Sequence, residues 1–409
     1  MKEIGVYIHI PFCKQKCSHC DFVSFANIEN MQREYIECLK KEIKKWKNLN
    51  KNYIIKTIYI GGGTPSYIES ECIIDVIKSL EIAEVAKTDT TKTENTITEV
   101  AKTESAKKKE MKSNKTDNEI SITIEVNPGT VTKEKLIDYK KAGINRLSIG
   151  LQSTNNELLK QIGRIHNYED FLETYKIARK VGFNNINIDL MIGLPNQTIT
   201  DIKDSLDKIC KLNPEHISVY SLIVEENTPM QKLINTGKVV LPDEETERQM
   251  YWYVKNFLEL NGYKHYEISN FSKPGFESEH NLDCWNQKEY IGFGVAAYSY
   301  LDNKRFGNIS NIEEYIKNCN NHEFEKNIVL EEIQDKDQKM NEYMILGLRK
   351  IKGISIQQFE NIFNENPIIW YKDELQKLYE EHLIIIDGDS IRLSKKGLDL
   401  ANLVWGEFV

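Results

Sequence analysis

Three cysteines lie close together near the N-terminus, in the segment HIPFCKQKCSHCDF (residues 9–22). Cys13, Cys17 and Cys20 have the spacing C-x3-C-x2-C, and Phe22 stands where a further cysteine could follow. Thiolates at this spacing, in a loop of polar and basic residues, are typical of a metal centre. The chemistry open to this segment depends on which metal it binds.

Two kinds of metal centre fit the spacing. A structural zinc ion needs four protein ligands in a tetrahedron, and His9 or His19 could supply the fourth. An iron–sulfur centre needs only the three thiolates, which bind three irons of a cubane and leave the fourth iron open for a small chelating molecule. The spacing alone leaves zinc and iron–sulfur both open, and plain core thiols fit the polar loop less well.

A second motif, GGGTP at residues 61–65, follows the next predicted strand. Three glycines let a backbone come close to a ligand, so that its amide groups can bind an amino acid-like head group. By itself the motif is also compatible with a tight strand-to-helix turn. After a C-x3-C-x2-C loop it fits a site for S-adenosylmethionine bound to the open iron, an arrangement that resembles the radical SAM superfamily.

The resemblance extends to one family within that superfamily. The segments that carry it are YIHIPFC, GGGTPS, EVNP, NRLSIGLQS, IGRIHN, DLMIGLP and YEISNFSKPGFESEHNLDCW. Together they resemble the HemW family of heme chaperones, which are related to oxygen-independent coproporphyrinogen III oxidase. The matching segments begin at Tyr7, continue into the C-terminal part of the chain and skip only a Lys/Thr-rich insertion.

The resemblance implies roles for the matching residues. Cys13, Cys17 and Cys20 would bind a 4Fe–4S cluster. In the S-adenosylmethionine site, Tyr7 and His19 would contact the cluster-bound cofactor. Its methionine part would contact Gly62, Gly63 and Thr64. The rest of the site would be lined by Glu125, Gln152, Arg164 and Asp189. Carboxylates at strand ends suit ribose hydroxyls, and an arginine can hold a carboxylate with two parallel hydrogen bonds. The alternative for each charged residue is an ion pair at the rim of the fold that has no function.

Two features separate a carrier from an enzyme within this resemblance. The oxidases have a further cysteine at the position of Phe22, whereas HemW proteins have an aromatic residue there. The segment HNLDCW (280–285) resembles the H-N-x-x-Y-W pattern of the chaperones, with Cys284 in place of the tyrosine. An imidazole such as that of His280 is a common axial ligand of heme iron, and Trp285 offers an apolar face to a porphyrin. From residue types alone, His280 could instead cap a turn, with Trp285 in a domain interface.

Three functions follow from these features. The first is a heme chaperone that binds heme and transfers it to acceptor hemoproteins, with respiratory chain components and membrane proteins among the candidate acceptors. The second is a radical enzyme of the oxygen-independent coproporphyrinogen III oxidase type, which Phe22 disfavours. The third is a radical SAM enzyme with an unrelated substrate. The expected cofactors are a 4Fe–4S cluster, exchangeable S-adenosylmethionine and heme.

Composition and charge limit the partners and the compartment. The 409 residues carry a net charge of −8, which argues against nucleic acid or an anionic membrane surface as a partner. No apolar run in the sequence approaches the ~20 residues of a membrane span, and the N-terminal run is too short and too polar for a signal peptide. The five cysteines outside the loop are scattered singly, as expected for reduced thiols in the cytoplasm.

The elements that must position these residues are β-type runs that alternate with helical patterns. Strands are predicted at residues 5–10, 57–62, 121–128, 146–153, 185–192 and 216–223, and helices at 31–49, 132–142, 168–181 and 200–212. This alternation predicts an α/β fold, a partial (β/α)6 TIM-like barrel of the radical SAM kind, with the active site at the carboxyl ends of the strands. A doubly wound open sheet is the alternative.

The prediction divides the chain into three segments. Residues 1–230 form the barrel, 231–303 an extension that contains HNLDCW, and 304–409 a C-terminal α+β domain with the element order of a winged helix. Residues 82–118 lack aromatic residues, Gly, Pro and Cys and contain EVAKT twice, which predicts a disordered insertion or, alternatively, an interaction arm. The balanced charge of the C-terminal domain favours packing or a partner contact over DNA binding.

Overall fold

The computed structural model describes residues 1–49, 51–81 and 119–409, and the predicted insertion at 82–118 lies outside them. The first part of the fold contains six parallel strands: β1 (Lys2–Ile10), β2 (Tyr53–Gly62), β3 (Ser121–Val126), β4 (Arg146–Gln152), β5 (Ile186–Ile192) and β6 (His216–Ser221). The helices that follow these strands are α1 (Gln32–Leu49), α2 (Ser70–Ser79), α3 (Lys133–Lys141), α4 (Asn156–Gln161), α5 (Tyr168–Val181) and α6 (Ile199–Leu212). The six strands pair in the order in which they follow one another along the chain. A doubly wound sheet would reverse its order at a switch point, so the predicted α/β TIM-like barrel is confirmed.

The strands have one apolar and one polar face. In β4, Leu147 and Ile149 are buried in the hydrophobic core. Because successive side chains of a strand point to opposite faces, Ser148 lies on the other side. There it is joined to β5, since Asn187 donates to the Ser148 hydroxyl and that hydroxyl donates to Asp189. The interior of the barrel is therefore polar, with the apolar packing on the outside beneath the helices.

Local sequence determines where two of the barrel helices begin. At the start of α5, the Asn167 side chain accepts from the Asp170 amide, and the Asp170 carboxylate accepts from the Asn167 amide. Thr198 and Asp201 form the same reciprocal pair at the start of α6. Such capping boxes satisfy amides that the first helical turn leaves free. They define where the loops after α4 and β5 end, and the loop after α4 reaches the carboxyl edge of the barrel through Arg164.

The sheet continues beyond the six strands on both sides. Beside β1 lie β9 (Tyr290–Phe293), β10 (Tyr298–Leu301), β11 (Lys304–Asn308) and β12 (Ile328–Ile333), and beside β6 lie β8 (Asn270–Ser272) and β7 (Lys264–Glu267). The remaining helices of this part are α7 (Pro229–Asn235), α8 (Glu244–Leu260), α9 (Glu279–Trp285) and α10 (Ile312–Asn320). The sequence places residues 304–333 in the C-terminal domain. In the structure they supply β11 and β12 of the large sheet, where β11 pairs with β10 and β12 pairs with β11, both antiparallel.

The C-terminal part has its own hydrophobic cluster, which includes Met344, Phe359 and Val404. Its elements are α11 (Lys336–Gly347), β13 (Ile354–Ser355), α12 (Ile356–Phe363), α13 (Pro367–Trp370), α14 (Lys372–Glu380), β14 (Ile384–Asp387), β15 (Ser390–Leu393), α15 (Lys395–Asp399) and α16 (Ala401–Gly406). The three strands form a separate antiparallel sheet in the order β13-β15-β14, as in a winged helix. Gly353 precedes β13 with a φ of 69°, and a Cβ there would lie 1.9 Å from Ile391 O, so the position requires glycine. In the described ranges no helix is both long enough and apolar enough to cross a bilayer.

Candidate functional site

The cysteine loop leaves the carboxyl end of β1 and is anchored by backbone hydrogen bonds. The Cys13 amide donates to Phe25 O at 2.8 Å, and the Ser18 amide donates to Ile162 O at 3.1 Å. Cys13 is buried, while the other two cysteines of the loop are partly exposed. The loop is therefore held on one side by the segment that leads into α1 and on the other side by the end of α4.

A series of side-chain hydrogen bonds connects two of these cysteines. The Thr64 hydroxyl donates to Cys13 Sγ at 3.6 Å and accepts from Asn127 Nδ2 at 2.9 Å. Arg164 Nη2 donates to Asn127 Oδ1 at 2.5 Å, and Nη1 donates to Cys17 Sγ at 3.6 Å. The GGGTP loop, the end of β3 and the loop after α4 thus converge on the cysteine loop, as predicted for a site at the carboxyl edge of the barrel.

The donor set at the cysteine loop fits an iron–sulfur cluster. Burial raises the pKa of the Cys13 and Cys20 thiols, and a bound metal would deprotonate them. Buried Nδ1 of His19 and Nε of Arg164 have no hydrogen-bond partner in the described part of the chain. Burial, with the charge of Arg164, lowers the pKa of His19 to about 4. Unpaired buried polar atoms beside three thiols are expected where a bound group completes the site.

The described residues contain no group of three or more His, Cys, Asp or Glu that could hold a single metal ion. Ligands of one zinc ion must converge on one point, because all of them bind the same atom. Thiolates of a cubane each bind a different iron, so their sulfurs lie farther apart. The three cysteines, one buried and two partly exposed, are compatible with a cluster, whose thiolates need not converge on one atom.

The GGGTP loop packs directly on the cysteine segment. Gly62 has a φ of 115°, and a Cβ there would lie 2.7 Å from the His9 ring. At Gly63 a Cβ would lie 2.9 Å from Phe12 O. These two glycines are required by the close approach of two protein segments, a reason that the sequence pattern alone did not show.

Glu125, near the end of β3, links the GGGTP loop to the interior of the barrel. Its Oε1 accepts from the Tyr59 hydroxyl at 2.9 Å, and its Oε2 accepts from the Gly62 amide at 3.2 Å. Burial raises the pKa of Glu125 to about 7. Of the residues predicted for the S-adenosylmethionine site, Glu125 and Gly62 are therefore in direct contact.

Two other predicted residues lie on neighbouring strands. Asp189 on β5 accepts hydrogen bonds from Asn187, Ser148 and Tyr220, and burial raises the pKa of its carboxyl group. Gln152 ends β4 with a left-handed φ of 70°, at an irregularity in the pairing of β4 with β5. A non-glycine residue rarely adopts this conformation, and such positions cluster at functional sites.

Tyr7 and His9 form a hydrogen-bonded pair on β1. The carbonyl of Val23 can only accept, so His9 Nε2 donates to it at 2.8 Å. His9 Nδ1 then accepts from the Tyr7 hydroxyl at 3.0 Å. Burial lowers the pKa of His9 and favours the neutral ring. With both nitrogens in hydrogen bonds, His9 positions Tyr7 and is not free to bind a metal.

The HNLDCW segment forms α9, where the alternative interpretation expected His280 to cap a turn. His280 Nδ1 lies 2.9 Å from the Thr57 hydroxyl, and its ring stacks on Tyr59 with centroids 5.4 Å apart and planes 29° apart. Burial, with the charge of Arg146, lowers the pKa of His280 to about 4. Both contacts are with β2, so the predicted heme ligand is joined to the strand that leads into GGGTP.

A cleft of about 850 Å³ connects α9 with the cysteine loop. Its walls include Tyr7, His9, Phe22, His280, Cys284, Tyr290, Tyr298, Ile309 and Val329. Phe22 is 64% exposed there, and Tyr298 is 49% exposed. Of the two imidazoles in its walls, that of His9 is engaged at both nitrogens, and apolar and aromatic side chains around the other are typical of a pocket for a large, flat ligand.

Trp285 does not contribute to this cleft in the predicted way. Its ring lies 4.4 Å from the Arg349 guanidinium, a cation–π contact between α9 and the C-terminal part. Arg349 also lies 5.1 Å from the Trp405 ring. The alternative interpretation of Trp285 as an interface residue is therefore the one that the structure shows.

The barrel, the cysteine loop after β1 and GGGTP after β2 define a protein of the radical SAM class. The Radical SAM superfamily profile matches residues 7–209, and the HemN C-terminal domain profile matches residues 334–400. Among solved structures, that of coproporphyrinogen III oxidase (HemN) from Escherichia coli, a radical SAM enzyme, has the same fold. Its TM-score is 0.79 at 20% identity, and the match covers 100% of this chain and 90% of that chain.

Sequence relatives identify the family within this class. The heme chaperone HemW of Lactococcus lactis is 34% identical over 100% of this chain and 98% of its own length. HemW of Bacillus subtilis is 34% identical over 99% of both chains, and HemW of Escherichia coli is 34% identical over 73% of this chain and 70% of its own. The chain belongs to the HemW family.

Sequence reasoning missed several residues of the site. Tyr59 and Thr57 contact His280, and Asn127 joins Thr64 to Arg164. A signal for them was present, because polar residues at every second position of an apolar strand mark a polar face. The patterns TIYI and TIEVN have this form. Their partners could not be named, since these lie far away in the sequence.

Proposed function

We propose that the chain is a heme chaperone that binds heme in the cleft beside α9 and transfers it to acceptor hemoproteins, including respiratory chain components. In this proposal it also carries a 4Fe–4S cluster with exchangeable S-adenosylmethionine and works in the cytoplasm. The observation that carries the proposal is the position of His280, which lines the cleft while its Nδ1 is held by Thr57.

The contact with Thr57 prepares His280 to bind iron. When Nδ1–H donates to the Thr57 hydroxyl, the lone pair is on Nε2, the nitrogen that remains for a ligand in the cleft. A hydrogen bond to the second nitrogen is how proteins orient a metal-binding imidazole. The lowered pKa of His280, about 4, keeps the ring neutral at physiological pH. Axial ligation of heme iron requires a neutral imidazole, and several aromatic side chains line the cleft around this one.

The cluster and the S-adenosylmethionine site are supported by the residues at the cysteine loop. Cys13, Cys17 and Cys20 would hold the cluster, and the donors of Thr64 and Arg164 already contact two of the sulfurs. Such donors stabilise thiolates once a metal has removed their protons. The backbone around GGGTP, with Tyr7, His19, Glu125, Gln152 and Asp189, would surround the nucleotide. When bound together, cluster and S-adenosylmethionine supply reductive cleavage chemistry at this edge of the barrel.

One observation favours the second function, that of a coproporphyrinogen III oxidase-type enzyme. Tyr7 from the cluster side and His280 from α9 line the same cleft. A porphyrinogen bound there would lie beside the predicted S-adenosylmethionine site. Phe22, in place of the further cysteine of the oxidases, favours the carrier.

The heme proposal is tested by titration of the anaerobically reconstituted protein. Wild type should bind one heme with a shifted Soret band, and His280→Ala should weaken binding at least tenfold. His322→Asn is the matched control, because His322 is exposed and has a φ of 59° that asparagine tolerates. Heme binding by His280→Ala that equals wild type would refute the assignment of this ligand.

The enzyme alternative needs a separate assay. Reconstituted protein is incubated with coproporphyrinogen III, reductant and S-adenosylmethionine, and formation of protoporphyrinogen is followed. The carrier proposal expects no turnover above that of a Cys13→Ala variant. Sustained turnover by wild type would instead establish the second function.

A further inference from the structure

Tyr59 lies between the two proposed sites and contacts both. Its hydroxyl donates to Glu125 Oε1 at 2.9 Å, while Glu125 Oε2 accepts from the Gly62 amide at 3.2 Å. Its ring stacks on His280, with centroids 5.4 Å apart. Tyr7 flanks it from β1, with centroids 6.3 Å apart and an angle of 26° between the rings. One side chain thus joins the GGGTP loop to the proposed heme ligand.

The strand itself reinforces this connection. Thr57 and Tyr59 are two residues apart on β2, so their side chains lie on the same face. Thr57 holds His280 Nδ1 and Tyr59 supports the face of the ring, so β2 contacts the imidazole at two points. The last residue of β2 is Gly62, and its amide donates a hydrogen bond to Glu125 Oε2. A displacement of the Gly62 amide is therefore transmitted to His280 through the carboxylate of Glu125 and the ring of Tyr59.

The Tyr59 hydroxyl is sensitive to any ligand at GGGTP. Glu125 divides its two oxygens between the Tyr59 hydroxyl and the Gly62 amide. A ligand that binds the Gly62 amide, or a ligand hydroxyl group that donates to Glu125, changes which hydrogen bonds the two carboxylate oxygens accept. The phenol group then either gains or loses a charge-assisted hydrogen bond, and its ring shifts against the imidazole.

From this arrangement we propose that Tyr59 is a positioning residue through which occupancy of the S-adenosylmethionine site changes the affinity of His280 for heme. The inference rests on the proposed function, since it needs both ligands. Coupling between two binding sites is reciprocal, so S-adenosylmethionine must change the dissociation constant of heme by the same factor by which heme changes that of S-adenosylmethionine. The factor expected for a single shared side chain is about fivefold, the lower end of measured couplings.

The test measures that factor in the reconstituted, oxygen-protected full chain. The dissociation constant of heme is obtained by Soret titration with and without saturating S-adenosylmethionine, and that of S-adenosylmethionine by equilibrium dialysis with and without heme. Wild type should show the same factor, about fivefold, in both directions. Tyr59→Phe removes only the hydroxyl, and its factor should fall to about one. Because the factor is a ratio within one variant, a change in basal affinity does not affect it.

Two further variants make the outcome specific. Tyr139→Phe is the control, because Tyr139 is a buried tyrosine on α3 whose hydroxyl has no partner in the described residues, so it should keep the wild-type factor. Tyr59→Leu removes the stacking as well, and should broaden the low-spin heme signal in electron paramagnetic resonance. Near-ultraviolet circular dichroism verifies that each variant is folded.

The failures can be told apart. Two results overturn the inference: a coupling factor in Tyr59→Phe equal to that of wild type, or a coupling factor of one in wild type. If heme binding still depends on His280 in these experiments, the proposed function stands. Heme binding that does not depend on His280 overturns the proposed function, and the inference with it. Addition of S-adenosylmethionine should also shift the heme spectrum of wild type and leave that of Tyr59→Phe unchanged.

Discussion

Thr57 and His280 are 223 residues apart in the sequence, and their side chains meet at 2.9 Å between β2 and α9. This contact engages Nδ1 of an imidazole that lines the cleft. It also ties α9 to the barrel at the place where the strand leads into the GGGTP loop. Heme binding should therefore depend on a residue of β2 that does not itself touch heme.

Thr57→Val should weaken heme binding by about 10- to 100-fold, the usual cost of removing the partner of a metal-binding imidazole. Valine has nearly the same shape but neither donates nor accepts, so the ring loses its orientation. The measurement is a Soret titration of the reconstituted protein. Ser299→Ala provides a comparison at another buried hydroxyl, which contacts the Gly292 amide, and it should bind heme like wild type. Wild-type affinity in Thr57→Val would show that the contact plays no part in binding.

Replacement of Cys13, Cys17 or Cys20 by Ala should abolish the brown absorbance of the reconstituted protein, because three thiolates are the whole protein ligand set of the cluster. Iron and acid-labile sulfide should fall in parallel. Cys72→Ala, on α2 and outside the loop, should retain both. Wild-type protein that contains zinc and neither iron nor sulfide after reconstitution would restore the zinc alternative.

Lys350 makes the stability of the protein depend on pH. Burial lowers its pKa from 10.5 to about 8 in the folded state. Between these two values the unfolded chain binds more protons, so the free energy of unfolding should rise as pH increases through this window. Below pH 8 both states are protonated, and the folded state carries the full cost of a buried ammonium group.

The expected rise with pH can be isolated by substitution. Lys350→Met should flatten the increase in urea-unfolding stability between about pH 8 and 10. Lys352→Met, at an exposed lysine two residues further along, should follow the wild-type curve. Parallel curves for wild type and Lys350→Met would mean that the folded protein keeps this amine fully hydrated.

Gly353→Ala should destabilise the C-terminal part by more than about 2 kcal/mol, because strain at a positive φ and a steric clash add together. The new Cβ would lie 1.9 Å from Ile391 O. Gly388→Ala separates the two effects, since Gly388 has a φ of 57° but no atom near the position of its Cβ. That variant should lose only about 1 kcal/mol. Equal losses in denaturant unfolding would show that the strand carbonyl moves away at little cost.

Much of the barrel could be predicted because its determinants are local. The run DLMI follows a strand pattern, and Asn167 with Asp170 defines the start of α5 within four residues. The cysteine spacing and GGGTP are also local, and the barrel architecture brings strand ends to one edge regardless of the distance between them in the sequence. The strands β9 to β12 were not predicted, because segments of four to six residues without clear alternation carry too little periodicity.

By itself, the sequence determined the class of fold, the three cysteines and the set of polar residues at the strand ends, since each depends on neighbouring residues and on strand periodicity. Only the tertiary structure decided how they are connected. Tyr59 stacks on His280, Trp285 packs on Arg349 and Arg164 reaches Cys17 across long separations in the chain. Such contacts are set by the register and packing of whole elements, and no local pattern specifies which distant side chain will fill the space opposite a given residue.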